Sequence, residues 1–260
     1  MPSIKRLFWD VETSPNIVFS WRCGSKIRLD PENIIHERAI ICICWKWEDG
    51  DKVHSLTWNK GDDAAMVKRF AKVMGRADEL VAHNGDRFDL RWFNGRNLIH
   101  DLEPVPRGKT VDTLKIARKH FYLNSNRLDY LGKLLLGEGK IHTEFGLWRR
   151  IVLNNDRRAL TEMVRYCKQD VTLLQRIWER LRDYDPPKTH AAVLETGNNK
   201  DRWMCPYCSS DDVKKNKTNT TAKGMVQHQM QCKSCGRYYS IADAVFNFYL
   251  RAKLREKCEA

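Results

Sequence analysis

Phe8-Trp9-Asp10-Val11-Glu12-Thr13 lies near the end of the first strand-like run of the chain, Ile4 to Val11. Successive side chains of a strand point to opposite faces, so Asp10 and Glu12 share one face and Val11 takes the other. Two carboxylates that close are tolerated if one is protonated or if a cation sits between them. Taken alone, an acidic strand end turned to water gives the same pattern. The meaning of the pair depends on what the rest of the chain brings to it.

Outward from it, Ser14 to Glu37 is irregular, with Pro15, Gly24 and Pro31, and its length suggests a functional loop or a short extra element. Ala39 to Trp47 reads as a strand, Glu48-Asp49-Gly50-Asp51 as a hairpin turn, and Lys52 to Trp58 as the returning strand. Asp62 or Asp63 then caps a helix running to about Gly75, with Ala65, Met66, Phe70, Val73 and Met74 inward. Leu80 to His83 is short and apolar, fit for a buried parallel strand. Arg87 to Ile99 reads as a helix with Leu90, Phe93 and Leu98 towards the core. Thr110 to Thr113 is a further strand, and Leu114–Phe121, Leu128–Leu136 and the long Asp156–Tyr184 read as helices. Three antiparallel strands followed by alternating helices and strands give an α/β fold: a ribonuclease-H-like mixed five-stranded sheet flanked by helices, spanning residues 1–184. Pro186 and Pro187 open a polar stretch, 185–202, that reads as a linker. A cysteine-bearing module, 203–241, and a basic C-terminal helix, 242–260, follow.

A chain of 260 residues with 42% hydrophobic and 30% charged residues is expected to fold as one sizeable domain plus a small appendage. No apolar run approaches membrane-spanning length and no signal-peptide core follows Met1, so the expectation is a cytoplasmic protein without a membrane partner. A formal net charge of +13 points to a polyanionic partner.

Two further carboxylate signals follow the first pair. Asp89 stands in His83-Asn84-Gly85-Asp86-Arg87-Phe88-Asp89, where it could equally cap a helix. Tyr166 and Asp170 are four apart in the long helix, on the flank of its apolar stripe. In this order the sequence resembles the DEDD (DnaQ-like) superfamily of 3′→5′ exonucleases, through Trp9-Asp10-Val11-Glu12-Thr13, Asn84-x3-Phe88-Asp89 and Tyr166-x3-Asp170. Leu134-Leu135-Leu136-Gly137-Glu138-Gly139-Lys140 is similar to the exonuclease domains of family B DNA polymerases. Arg165 stands where a histidine subgroup carries its general base, so the likeness is to the tyrosine subgroup. Trp9 replaces a commoner Phe and His83 a commoner Tyr, and neither change removes a ligand.

The resemblance implies two Mg²⁺ or Mn²⁺ ions roughly 4 Å apart, which can activate water, stabilise the phosphorane-like transition state and relieve the leaving 3′-oxygen. Such hard cations take carboxylate oxygens in preference to His or Cys. It further implies that Asp10 bridges both ions, that Glu12 and Asp170 complete the shell of the first, and that Asp89 holds the second mainly through water. Tyr166 would orient the attacking water, since an unperturbed phenol pKa of about 10 suits it poorly as a base. Thr13, Asn84 and Phe88 are candidate nucleic-acid contacts. Phe19, Trp21, Phe145 and Trp148 could stack on splayed bases, with core packing the plainer explanation of each. Asp86 and Asp112 are read as turn and strand-end residues. His83, His120 and His142 have no partner spacing that argues for catalysis.

Of nine cysteines, Cys205-x2-Cys208 and Cys232-x2-Cys235, separated by 23 residues, match the spacing of a tetrahedral Zn²⁺ site. Gly236 and Arg237-Tyr238-Tyr239-Ser240 resemble a zinc ribbon, and a segment this short needs its metal to fold. His228 is an alternative ligand. Lys214, Lys215 and Lys217 read as a basic hairpin tip, a candidate phosphate contact, although ribbons also dock proteins. Cys42, Cys44 and Cys167 read as small buried hydrophobes; Cys23 and Cys258 are unassigned.

The expectation is a stand-alone 3′→5′ exonuclease using two Mg²⁺ or Mn²⁺ and one structural Zn²⁺. DNA is favoured over RNA and single-stranded 3′ ends over duplex. A replication or repair protein is a candidate partner, and the compact build suits a phage or bacterial origin. The alternatives are a 3′→5′ exoribonuclease of the same superfamily and a catalytically inactive adaptor that binds nucleic acid through its ribbon.

Overall fold

The computed structural model describes residues 4–22, 24, 26–105, 108–139 and 144–259. Cys23, Lys140 and His142 lie outside them. The chain forms two compact units, Lys5–Asp185 and a second that includes Pro186–Ala260.

In the first unit, β1 (Arg6–Thr13) leads into a small antiparallel pair, β2 (Ile17–Val18) and β3 (Ile34–His36). β4 (Ile40–Trp47) and β5 (His54–Thr57) follow. Next come α1 (Ala64–Met74), β6 (Glu79–Ala82), α2 (Asp89–Ile99), β7 (Lys109–Asp112) and α3 (Thr113–His120). Helices α4 (Leu128–Leu136), α5 (Phe145–Asn154) and α6 (Arg157–Leu181) complete the unit. The five-stranded sheet has the order β5-β4-β1-β6-β7, antiparallel from β5 to β1 and parallel from β1 to β7. This is the ribonuclease-H-like mixed sheet that the element order predicts.

Helices cover both faces, which is why β4 is an unbroken apolar run with Ile40 to Trp45 all buried. On one face Trp9 meets Phe70 of α1 and Phe93 of α2, with ring centroids 5.4 and 6.4 Å apart. On the other, Phe8 meets Trp178 of α6 at 5.3 Å. Asp10 and Glu12 alternate with Trp9 and Val11, so they fall on the α6 face.

The structure departs from the sequence reading at several places. Asp62 Oδ1 accepts from Ala64 N–H (2.9 Å) at the start of α1, whereas Asp63 turns inward. Buried Asp63 accepts from Ile40 N–H (2.8 Å), from Arg96 Nε and Nη2 (2.8 and 2.7 Å), and pairs with His100 Nε2 (2.6 Å). Bringing Arg96 inward rotates α2, and Leu98, expected in the core, is 80% exposed. Helix α5 is not expected from the sequence, and a short 3₁₀ turn, Arg182–Tyr184, follows α6 where one continuous helix to Tyr184 is expected.

In the second unit the stretch read as a linker carries α7 (Ala191–Thr196) and a 3₁₀ turn, Asn199–Trp203. Ala191 N–H donates to Pro206 O (3.0 Å), which ties α7 to the first cysteine knuckle. Strands β8 (Val213–Thr220), β9 (Val226–Cys232) and β10 (Tyr238–Ala242) form an antiparallel sheet of order β10-β9-β8, followed by α8 (Asp243–Glu259). Trp203, Val213, Met230, Ile241, Val245 and Phe246 make its small core. Leu254, towards the end of α8, is exposed.

Candidate active site and cysteine cluster

The β1–β4 register sets Asp10 opposite Cys44 and Glu12 opposite Cys42, so carboxylates and thiols share one face. Between Glu12 and Thr13 the register shifts, an irregularity of the kind that bends a strand end beside a site. Trp148 of α5 fixes that end by donating its Nε1–H to Thr13 O (3.0 Å).

Helix α6 crosses this face with Cys167 pointing down. Its Sγ lies 3.5 Å from Asp10 Oδ2 and 3.6 Å from Asp10 O, both as acceptors. Donor atoms of Asp10, Glu12 and Cys167 all lie within 4.8 Å of one another. Burial pushes the Cys167 thiol up, so it stands there as a neutral donor. The contact seats one particular turn of α6 on β1. That turn carries half-buried Tyr166 and, one position beyond the next i+3 step's reach from Tyr166, buried Asp170. Cys42, Cys44 and Cys167 are all buried, as expected of small hydrophobes, and their sulfurs cluster within 4.8 Å.

Asp89 arrives from the sheet's other side. Parallel strand β6 ends in the turn His83 to Phe88, where Asn84 takes φ +66° and its O accepts from Arg87 and Phe88 N–H. A Cβ on Gly85 would sit 2.4 Å from Ala82 Cβ, so only glycine lets the turn close this tightly. Asp89 opens α2, yet it is not the cap: its Oδ1 accepts from Val11 N–H (3.1 Å), joining the turn to the residue between Asp10 and Glu12. Asp112 does cap α3, accepting from Leu114 N–H (3.0 Å), and also takes Asn84 N–H (2.9 Å). Asp86 pairs with Lys115 (2.6 Å). These two therefore have the structural roles read from the sequence.

Beside the turn lies a cavity of about 770 Å³ lined by His83, Asn84, Arg87, Arg118, Asn126 and Arg127, among others. Three guanidinium groups share the lining with one carboxylate, Asp129, which pairs with Lys133 (2.8 Å), so the lining is net positive and suited to anions. Asn84 was legible as a candidate from its motif. Arg118 and Arg127 were not, for they sit on α3 and at the start of α4 with no spacing that links them to it. Phe88 is partly exposed.

Asp10 and Glu12 thus present hard oxygen donors at a distance one cation can span, and the donor set fits Mg²⁺ or Mn²⁺.

In the second unit, Cys205, Cys208, Cys232 and Cys235 bring their sulfurs within 4.8 Å. Cys205–Cys235 and Cys208–Cys232 are each 3.7 Å apart. A tetrahedron of sulfurs about 2.3 Å from a central zinc has an edge of about 3.8 Å, so the cluster is compatible with Zn²⁺. Burial opposes ionisation of Cys232, but Cys235 N–H and the neighbouring thiols hold it down at about 7. His228 is no ligand: it bonds Thr218 Oγ1 (3.1 Å) and Asp243 Oδ1 (2.8 Å) and stacks on Phe246 at 4.0 Å. Lys214, Lys215 and Lys217 form no hairpin tip. They are exposed along β8, the edge strand, whose register shifts between Lys215 and Lys217.

Among the described residues no helix is long and apolar enough to cross a membrane. A family model, RNase_H_2 of the RNase_H superfamily, matches residues 34–182. The structure of the family B DNA polymerase from the hyperthermophilic archaeon Pyrobaculum calidifontis is similar, with a TM-score of 0.53 and 17% identity. The match covers 70% of this chain and 25% of that one, so it shows a shared fold over a quarter of the polymerase. No curated protein matches the sequence.

Proposed function

The chain belongs to the RNase_H superfamily, and we propose that within it the chain is a divalent-metal-dependent 3′→5′ exonuclease that shortens single-stranded DNA ends. The observation that carries this reading is the convergence on one strand: Asp10 and Glu12 side by side, the Tyr166–Asp170 turn seated on them through Cys167, and Asp89 bonded to Val11 N–H. Asp10, Glu12, Asp89 and Asp170 would hold Mg²⁺ or Mn²⁺. Such ions, when bound, supply an activated water and neutralise charge on the phosphate and leaving oxygen. The protein's own part is positional. Val11 N–H fixes the Asp89 carboxylate, Cys167 fixes that of Asp10, and the Tyr166 hydroxyl orients a water for attack on the terminal phosphodiester.

Arg87, Arg118, Arg127 and Asn84 cradle phosphates of the strand, with Thr13 and Phe88 at the margins of the site. Cys205, Cys208, Cys232 and Cys235 hold a structural Zn²⁺, and Lys214, Lys215 and Lys217 along β8 add phosphate contacts.

The test uses 5′-labelled single-stranded DNA and RNA of one sequence, with Mg²⁺ or Mn²⁺, on wild type and Asp10→Ala. A ladder that shortens from the 3′ end and vanishes in the variant is expected, with DNA the faster substrate. A faster RNA ladder would make the protein an exoribonuclease. Absence of shortening on either strand by a folded, zinc-loaded protein would overturn the enzyme reading.

A further inference from the structure

We propose that the segment between β1 and β4, residues 14–38, is an arm that grips single-stranded nucleic acid by stacking its bases on Trp21 and Phe19. The inference rests on the nuclease reading and adds to it the part of the substrate that is recognised: unpaired bases.

The described residues at the base of the arm are held by pairing. Ile17 pairs with His36 and Val18 with Ile34, Phe19 N–H donates to Asn33 O (2.8 Å), and Arg38 N–H donates to Asn16 Oδ1 (2.9 Å). At its root Ser14 N–H bonds Ala39 O (2.8 Å), and Ala39 N–H returns to Ser14 Oγ (2.8 Å). Yet this pinned structure leaves Trp21 92% and Phe19 59% exposed, their rings 5.6 Å apart and nearly perpendicular. Leu29 and Ile35 are exposed as well. A cluster of apolar side chains held out in water marks a surface that something covers.

Charge and position identify the occupant. Arg22, Lys26 and Arg28 are exposed around the aromatic pair, and no acidic residue lies in the sequence between Phe19 and Leu29; Arg28 makes a loose ion pair with Asp30 at 3.8 Å. Aromatic faces interleaved with cations suit stacked bases on a phosphate backbone. Both ends of the arm open at the carboxylates. Thr13 and Ser14 follow Glu12 directly. At the other end Arg38 lies over Trp92 at 4.9 Å, and Trp92 is 6.2 Å from Phe88, which precedes Asp89. The arm is thus rooted beside the carboxylates that a 3′ end would have to reach.

The test is binding of the full-length, zinc-loaded protein to fluorescein-labelled oligothymidylate and to a labelled strand of the same length with abasic residues, with Ca²⁺ in place of Mg²⁺. Phe19→Ala/Trp21→Ala is expected to weaken binding of the first about tenfold and to leave the abasic strand unchanged. Trp21→Phe should retain most of the affinity. With Mg²⁺ the same double variant should raise KM and hold kcat within about twofold. Unchanged binding of both strands by the folded variant would overturn the proposal and assign the surface to a protein partner. Equal loss on both strands would also overturn it. Failure of the wild type to cleave any strand would refute the nuclease reading instead, and the difference between the two strands in binding would still decide the arm.

Discussion

Asp63 shows how much one buried carboxylate can carry. Burial alone would raise its pKa, but Arg96, the Ile40 N–H and His100 outweigh it and leave the pKa below the usual carboxylate value. The ionised form therefore stabilises the fold above about pH 4, and that contribution is lost as pH falls through the depressed folded value. Asp63→Asn should cost about 3–5 kcal/mol at neutral pH, because the buried Arg96 charge is left with a weaker partner. It should also flatten the acid limb of a urea-stability profile between pH 3 and 5 relative to wild type, a range of about two units around the free carboxylate. Nothing in the sequence near Asp63 announces this role, since its partners are 33 and 37 positions away. Asp10, Glu12, Asp89, Tyr166 and Asp170 could be nominated together only through the family resemblance that their three motifs carry, each motif lying within one local stretch. Arg118 and Arg127 reach their cavity only through the packing of α3 and α4, which no spacing encodes.

Among the elements, the β6–α2 turn depends on β7. Asp112 caps α3 and holds Asn84 N–H, so one side chain sets the start of a helix and the shape of the neighbouring turn. Asp112→Ala should destabilise the protein by about 2 kcal/mol, the sum of a lost cap and a half-buried amide left without its acceptor. Nuclease activity, measured at a temperature where the variant is fully folded, should fall further than binding of single-stranded DNA, because the turn also positions Asp89. The strands and the long amphipathic helices were legible because alternation and 3.6-residue periodicity survive in them. Helix α5 was not. Exposed Phe145 and Leu153 put apolar residues off its buried face and blur the period, and its packing rests on Leu147 and Ile151 and on the Trp148 bond to β1. The lysines of β8 misled in the opposite direction: an exposed edge strand of Lys, Asn and Thr has the composition of a loop tip.

Across the whole molecule, two kinds of donor set lie in one chain, hard oxygen donors in the first unit and four thiols in the second. Removing zinc with a chelator, or Cys205→Ser, should open Pro186–Ala260 to protease while Lys5–Asp185 stays resistant, for the small core around Trp203 and Met230 cannot hold that unit alone. Limited proteolysis followed by mass spectrometry reads this directly. The net charge of +13 predicts strong screening. With about four phosphate contacts, affinity for single-stranded DNA should fall about 50-fold between 50 and 200 mM salt, and Arg118→Ala should reduce the slope by about 0.7.

Asp170 and Val171 are neighbours on α6, both buried, and Cys167 reaches Asp10 from inside the hydrophobic cluster. Chemistry and packing therefore occupy the same turn of helix. Heat cannot loosen one and spare the other, so the proposed activity has no melting point of its own: residual cleavage after a heat pulse would count the molecules that are still folded, and the protein would serve as a thermometer of its own core.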